Sequence, residues 1–134
     1  MTTEERLAKV ERELADLRAE LAAGLTTRHV EIVDEAGQVR ADLVVDATGP
    51  MLNLYDAEGE DVVVLAVDSD GGTALSLHDA AGNSSVVLAV DATWGTTLGL
   101  HDAAGKTRAR LSVTADGPGL SLRDAAGKVI WSAP

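Results

Sequence analysis

A chain of 134 residues with no cysteine, no phenylalanine and a formal charge of −11 excludes a disulfide framework and an aromatic core. Its interior has to be built from Leu, Val, Ile and Ala, and its acidic surplus works against nucleic acid, whose recognition needs a cationic footprint. No charged-then-apolar leader opens the sequence and no apolar run approaches the ~20 residues that span a bilayer, so a soluble, unprocessed protein without a membrane span is expected.

The first 24 residues read as a helix made for partners. Leu7, Val10, Leu14, Leu17 and Leu21 recur at intervals of 3, 4, 3 and 4, an a/d heptad seam, among Ala, Glu, Arg and Lys that favour helix. Thr2 with Glu5 writes a capping box, which starts the helix at Thr2 or Thr3, and Gly24 ends it. Arg6 and Glu13 fall at g positions, Glu11 and Arg18 at the following e positions. A parallel assembly therefore sets Arg6 against Glu11 and Glu13 against Arg18 of neighbouring chains. A helix of this length is marginal alone in water. The seam requires other copies, the alternative being an amphipathic helix packed on its own β body. The stretch Arg6-Leu7-Ala8-Lys9-Val10-Glu11 resembles the R-h-x-x-h-E signature of short three-stranded parallel coiled coils. That resemblance implies three chains, with Arg6 laying its stem over the seam and bonding Glu11 of the next chain.

Residues 25–134 carry five repeats of about 23 residues, marked by Val33-Asp34-Glu35-Ala36-Gly37, Tyr55-Asp56-Ala57-Glu58-Gly59, His78-Asp79-Ala80-Ala81-Gly82, His101-Asp102-Ala103-Ala104-Gly105 and Arg123-Asp124-Ala125-Ala126-Gly127. A fixed period of this kind means one supersecondary unit stacked repeatedly, none able to bury its apolar face alone. Before each D-x-x-G lies a strand with an oily face: Val30/Ile32, Leu52/Leu54, Leu75/Leu77, Leu98/Leu100 and Leu120/Leu122. After it lies another, with Val39/Ala41/Leu43/Val45, Val63/Leu65/Val67, Val86/Leu88/Val90, Ala109/Leu111/Val113 and Val129/Trp131 inward. Asp first and Gly fourth suit a type I turn closed by a positive-φ glycine, and Asp68-Ser69-Asp70-Gly71 at the opposite end reads the same way rather than as the opening of a calcium loop, whose remaining ligands are missing. A ten-stranded antiparallel meander follows.

An oily face of that extent needs a closure. Either one chain curls into a barrel, or three chains set their sheets as the sides of a triangular prism with Leu52, Leu54, Leu75, Leu77, Leu98, Leu100, Leu120 and Leu122 inside. Short strands, small aliphatic side chains and a parallel coiled coil at one end favour the prism, some 48 Å tall at ~4.8 Å per strand. The fold expected is thus mainly β with an N-terminal helical coiled coil. A short trimeric helix leading into repetitive β-structure resembles the trimeric stalks of phage tail fibres and bacterial adhesins. The resemblance implies a homotrimeric stalk, spacer or display module, cytoplasmic or virion-associated.

The outward face offers little chemistry. His78 and His101 hold equivalent repeat positions, too far apart to share one zinc, and His29 has no identifiable partner. Without a nucleophile elbow, a phosphate loop or paired acids, no enzyme, metal or cofactor is expected. Val62, Val64, Ala66, Val87 and Ala89 form an outward apolar stretch able to receive a partner, and Trp94 lengthens a turn where it could meet a partner or a sugar. Two other functions fit the residues: a monomeric barrel carrying an apolar ligand, and a carbohydrate-binding module using Trp94.

Overall fold

The computed structural model describes residues 1–24, 26–93 and 95–134; Leu25 and Trp94 lie outside the described residues. Helix α1 runs Thr3–Ala23. The Thr2 amide donates to Glu5 Oε2 at 2.6 Å and the Glu5 amide to Thr2 Oγ1 at 3.2 Å, the reciprocal box the sequence writes. Gly24 closes the helix at φ 91°, its N–H reaching the Leu21 carbonyl. The helix is not long and apolar enough to cross a membrane.

Ten strands follow: β1 (His29–Val33), β2 (Val39–Val45), β3 (Pro50–Tyr55), β4 (Asp61–Val67), β5 (Thr73–His78), β6 (Ser84–Asp91), β7 (Gly95–His101), β8 (Thr107–Thr114), β9 (Gly117–Arg123) and β10 (Val129–Ala133). Each pairs antiparallel with the next, in one sheet ordered β1 to β10. The sheet is open: β1 and β10 are its edges and do not meet. A single chain curled into a barrel around an apolar ligand is therefore not the architecture. Nor does α1 fold back on the β body, because no strand contacts it among the described residues.

The turns show why the register holds. In the third repeat, the Asp79 amide donates to the Asn83 carbonyl and the Gly82 amide to the Asp79 carbonyl, both at 2.9 Å. Asp79 Oδ1 also accepts the amides of Ala81 and Asn83 at 2.9 and 3.0 Å. Gly82 sits at φ 78°, open to glycine and costly to other residues. Asp34, Asp56, Asp102 and Asp124 repeat this geometry, and Asp68 does so at the opposite end, accepting from Asp70 and Gly72.

Each of the five D-x-x-G hairpins also carries a register shift in the strand pairing, whereas the four connections at the opposite end carry none. The shift has a purpose that the third repeat makes plain. His78 pairs with Ser84, but Leu77 pairs with Val86, leaving Ser85 as the extra residue of a bulge. Without it Leu77 would face Ser85, and Val87 would take the side that Val86 and Leu88 occupy; a one-residue slip turns the whole strand over.

Glycine substitutions distinguish two individual turns. A Cβ on Gly82 would meet nothing within 4 Å, so Gly82→Ala carries only the backbone cost, about 1–2 kcal/mol. A Cβ on Gly49 would lie 2.0 Å from the Val67 carbonyl oxygen, a clash that adds to the strain. In urea or thermal unfolding, Gly49→Ala should lower stability more than Gly82→Ala; equal losses would contradict the close approach of β4 to this turn.

Candidate assembly surface

Paired residues in an antiparallel sheet share a face, so the register writes the surface directly. Through the middle runs Val30–Leu43–Leu52–Leu65–Leu75–Leu88–Leu98–Leu111–Leu120–Ala133, each paired with the next across all ten strands. On the D-x-x-G side lies a second row, Ala41, Leu54, Val63, Leu77, Val86, Leu100, Ala109, Leu122 and Trp131. The third row alternates Val45, Val67, Val90 and Val113 with Pro50, Thr73, Thr96 and Pro118. The eight leucines expected inside thus fall on one face, four in the central row and four beside it, but Val39 and Val129, also expected inward, precede their bulges and pair with Val33 and Arg123 on the other face.

None of this surface is covered. Among the described residues no apolar side chain is buried; Leu43 and Val90 are each 51% exposed and Leu111 is 48% exposed. One chain presents 9814 Å² to solvent, whereas a compact monomer of its 13.8 kDa would present about 6,600 Å². The helix is bare as well: Leu7, Val10, Leu14, Leu17 and Leu21 are all exposed, Leu21 at 79%. Among the described residues Arg6 and Glu11 make no ion pair, and the helical pair is Lys9 with Glu13 at 3.7 Å. Such pairs are worth little, and among the described residues no ion pair holds Arg6, Glu11 or Arg18.

The other face changes character along the repeats. The residue eight positions after each turn aspartate is Asp42, Val64, Val87, Arg110 and Ser132 in turn, while its inward neighbour is Leu43, Leu65, Leu88, Leu111 and Ala133. In the first zone Asn53 Nδ2 donates to Asp42 Oδ1 at 2.7 Å, and Asn53 is buried. His29 Nε2 lies 3.5 Å from Asp42 and 3.6 Å from Glu31, partners that the sequence alone does not disclose. Burial, then the nearby Asp42 carboxylate, pushes the Tyr55 hydroxyl up. In the second zone Val64 and Val87 both pair with Ser76, and Ala66 and Ala89 both pair with Ala74. The aliphatic stretch is contiguous, and Val62, Val64 and Val87 are half-buried. Trp94, assigned to the same partner surface, lies outside the described residues.

Side chains stitch neighbouring repeats together at the D-x-x-G end. His78 Nδ1 is 3.0 Å from the Asp61 carbonyl and His101 Nδ1 is 3.1 Å from the Ser84 carbonyl. The His101 ring lies over Gly99, where an added Cβ would come within 3.1 Å of Nε2. Arg40 and Arg108, both bulge residues, clasp their own turn aspartates: Arg40 Nε to Asp34 at 2.7 Å, Arg108 Nη1 to Asp102 at 3.2 Å. Each also donates to a carbonyl of the next repeat, Arg40 to Asp56 and Arg108 to Arg123. The signal for these stitches was present in the repeat phase, since His occupies one position twice and Arg another twice. No described group of three or more His, Asp or Glu could hold a metal ion.

Backbone amides set the titration of the turns. The Lys106 amide, then the Arg108 side chain, holds the Asp102 carboxyl below its usual 3.8, and the Asn83 amide does the same for Asp79. Gln38 acts likewise on Asp34, and the Thr48 hydroxyl leads at Asp46.

No family model matches the sequence, and no curated protein matches it. Among solved structures, the chain is similar to a crystal structure of a mutant of S. aureus TarM in complex with Fondaparinux, alpha-GlcNAc-glycerol and UDP, at 9% identity and a TM-score of 0.46. That match covers 87% of this chain and 22% of the other, so the chain spans about a fifth of its length.

A lowered folded-state pKa contributes stability above the unfolded value and loses it as pH falls through the folded one. Asp102→Asn should therefore unfold at a lower temperature than the parent near pH 7, the gap closing as pH drops below 3.8, the usual aspartate value. Melting curves between pH 2 and 7 check this; a gap independent of pH would mean that charge plays no part in the turn.

Proposed function

We propose that the chain is a non-catalytic structural homotrimer, a parallel three-stranded coiled coil continued by a β-prism, serving as a stalk, spacer or display module. One observation carries the reading: a continuous Leu-rich row crosses all ten strands, flanked on the same face by a second aliphatic row and by valines alternating with Pro and Thr, and no described apolar side chain is buried. An antiparallel sheet of this kind hides one face or does not persist in water.

Three copies suit the dimensions. Six-residue strands are about 20 Å long. Three sheets of that width, set as a triangle, place each backbone about 6 Å from the common axis, close to half the ~10 Å spacing of packed sheets. The central Leu row would then meet its counterparts at the axis, with the two flanking rows filling the vertices. The helix supports parallel neighbours, since Arg6 and Glu11 flank its seam, make no ion pair among the described residues and are spaced for a neighbouring chain; the likeness of residues 6–11 to three-stranded coiled coils supports the number. The stitched, bulged turns and the outward zones would lie on the surface of such a rod, free to meet other molecules.

Light scattering should give about three times the 13.8 kDa of one chain. Leu88→Ala should lower stability by about 2–5 kcal/mol per protomer, although Leu88 is 44% exposed in the single chain. A mass of one chain, or a loss below about 0.5 kcal/mol as at an ordinary surface site, would overturn the shared interior. Removal of residues 1–24 should weaken assembly without abolishing the β circular dichroism; a folded monomer would tell against the prism.

A further inference from the structure

The outward surface of the last two repeats gathers cations that no carboxylate answers. The chain has 22 acids against 11 Lys and Arg, yet Lys106, Arg110 and Arg123 line one groove of about 290 Å³ together with Thr107 and Gly127. Lys106 Nζ donates to the Ala125 carbonyl and Arg123 Nη1 to the Gly127 carbonyl, each at 3.1 Å. Neutral acceptors position both head groups and leave their charges unmatched. The Arg110 side chain makes no hydrogen bond or ion pair among the described residues. Its partners on the neighbouring strands are Gly99 and Ser121, so no long side chain stands directly opposite it.

The nearby acids are already engaged. Asp102 takes Arg108 at 3.2 Å and accepts the amides of Ala104 and Lys106. Asp124 accepts the amides of Ala126 and Lys128. Among the described residues 97–134, Arg108 is the one cation with a carboxylate partner. The corresponding positions to Arg110 in earlier repeats hold Asp42, Val64 and Val87. An arginine at this position is therefore no requirement of the fold, and its guanidinium presents a planar fork matched to two oxygens of one anion.

We infer that this groove binds a tetrahedral oxyanion, phosphate or sulfate, free or as a group on a larger molecule. Arg110 supplies the fork, and Lys106 and Arg123 the flanking charge. The groove stays accessible in any assembly that hides the opposite face.

The test titrates the full chain with inorganic phosphate, inorganic sulfate and methyl phosphate in separate arms, followed by amide NMR shifts at low chloride. Saturable shifts centred on Lys106, Thr107, Arg110 and Gly127 are expected. Arg110→Ala should weaken them at least about tenfold, and Lys9→Ala, on the distant helix, should leave them unchanged. Tighter binding of methyl phosphate than of the free ions assigns the site to a group carried on a larger molecule; the reverse order assigns it to the free anion. Non-saturating shifts, shifts spread over every cationic residue, or equal losses in Arg110→Ala and Lys9→Ala would overturn the inference. Should Arg110→Ala lose its β signature, Lys106→Ala carries the same comparison from an exposed turn residue, with a weakening expected and an unchanged affinity counting against the site.

Discussion

The oily face of the sheet governs everything else in this molecule. Its three rows exist because each strand alternates strictly, and they stay aligned because five bulges correct the phase after five identical turns. A surface of this composition exposed to water removes the main force that holds proteins together. The conformational entropy of ordering the strands is then unopposed. In the trimer proposed above, fold and association are one process, as in other obligate assemblies.

Much of this was legible in the residues. The aspartate period announced the repeats, Thr2 and Glu5 announced the helix start, and the D-x-x-G signal announced turns that the hydrogen bonds reproduce in detail. Those features depend on residues a few positions apart, where local geometry decides. Two kinds of feature escaped. The partner of His29 is Asp42, on the neighbouring strand, and the pairing of Asn53 with Asp42 likewise needs the register. The reach of His78 and His101 back to Asp61 and Ser84 spans 17 residues, so alternation patterns alone do not reveal it. The roles of the bulge residues Arg40 and Arg108 are not legible in the sequence, because a register shift is a relation between two strands and is written in neither.

The two faces are under different constraints. Inward positions are mostly Leu, Val and Ala, with the central row holding Leu on eight of its ten strands. Outward positions run from a hydrogen-bonded acidic zone through an aliphatic one to a basic one. A scaffold that repeats inside and differs outside can present several surfaces along one axis without altering its interior.

The strictly sequential strand order has one more consequence. Since every strand touches only its immediate neighbours, each repeat adds two strands and about 10 Å of height, and its removal leaves the join between the remaining copies unchanged in kind. The body is a ruler graduated in units of one hairpin, whose length can be reset by duplication or loss of about 23 residues while both ends keep their chemistry.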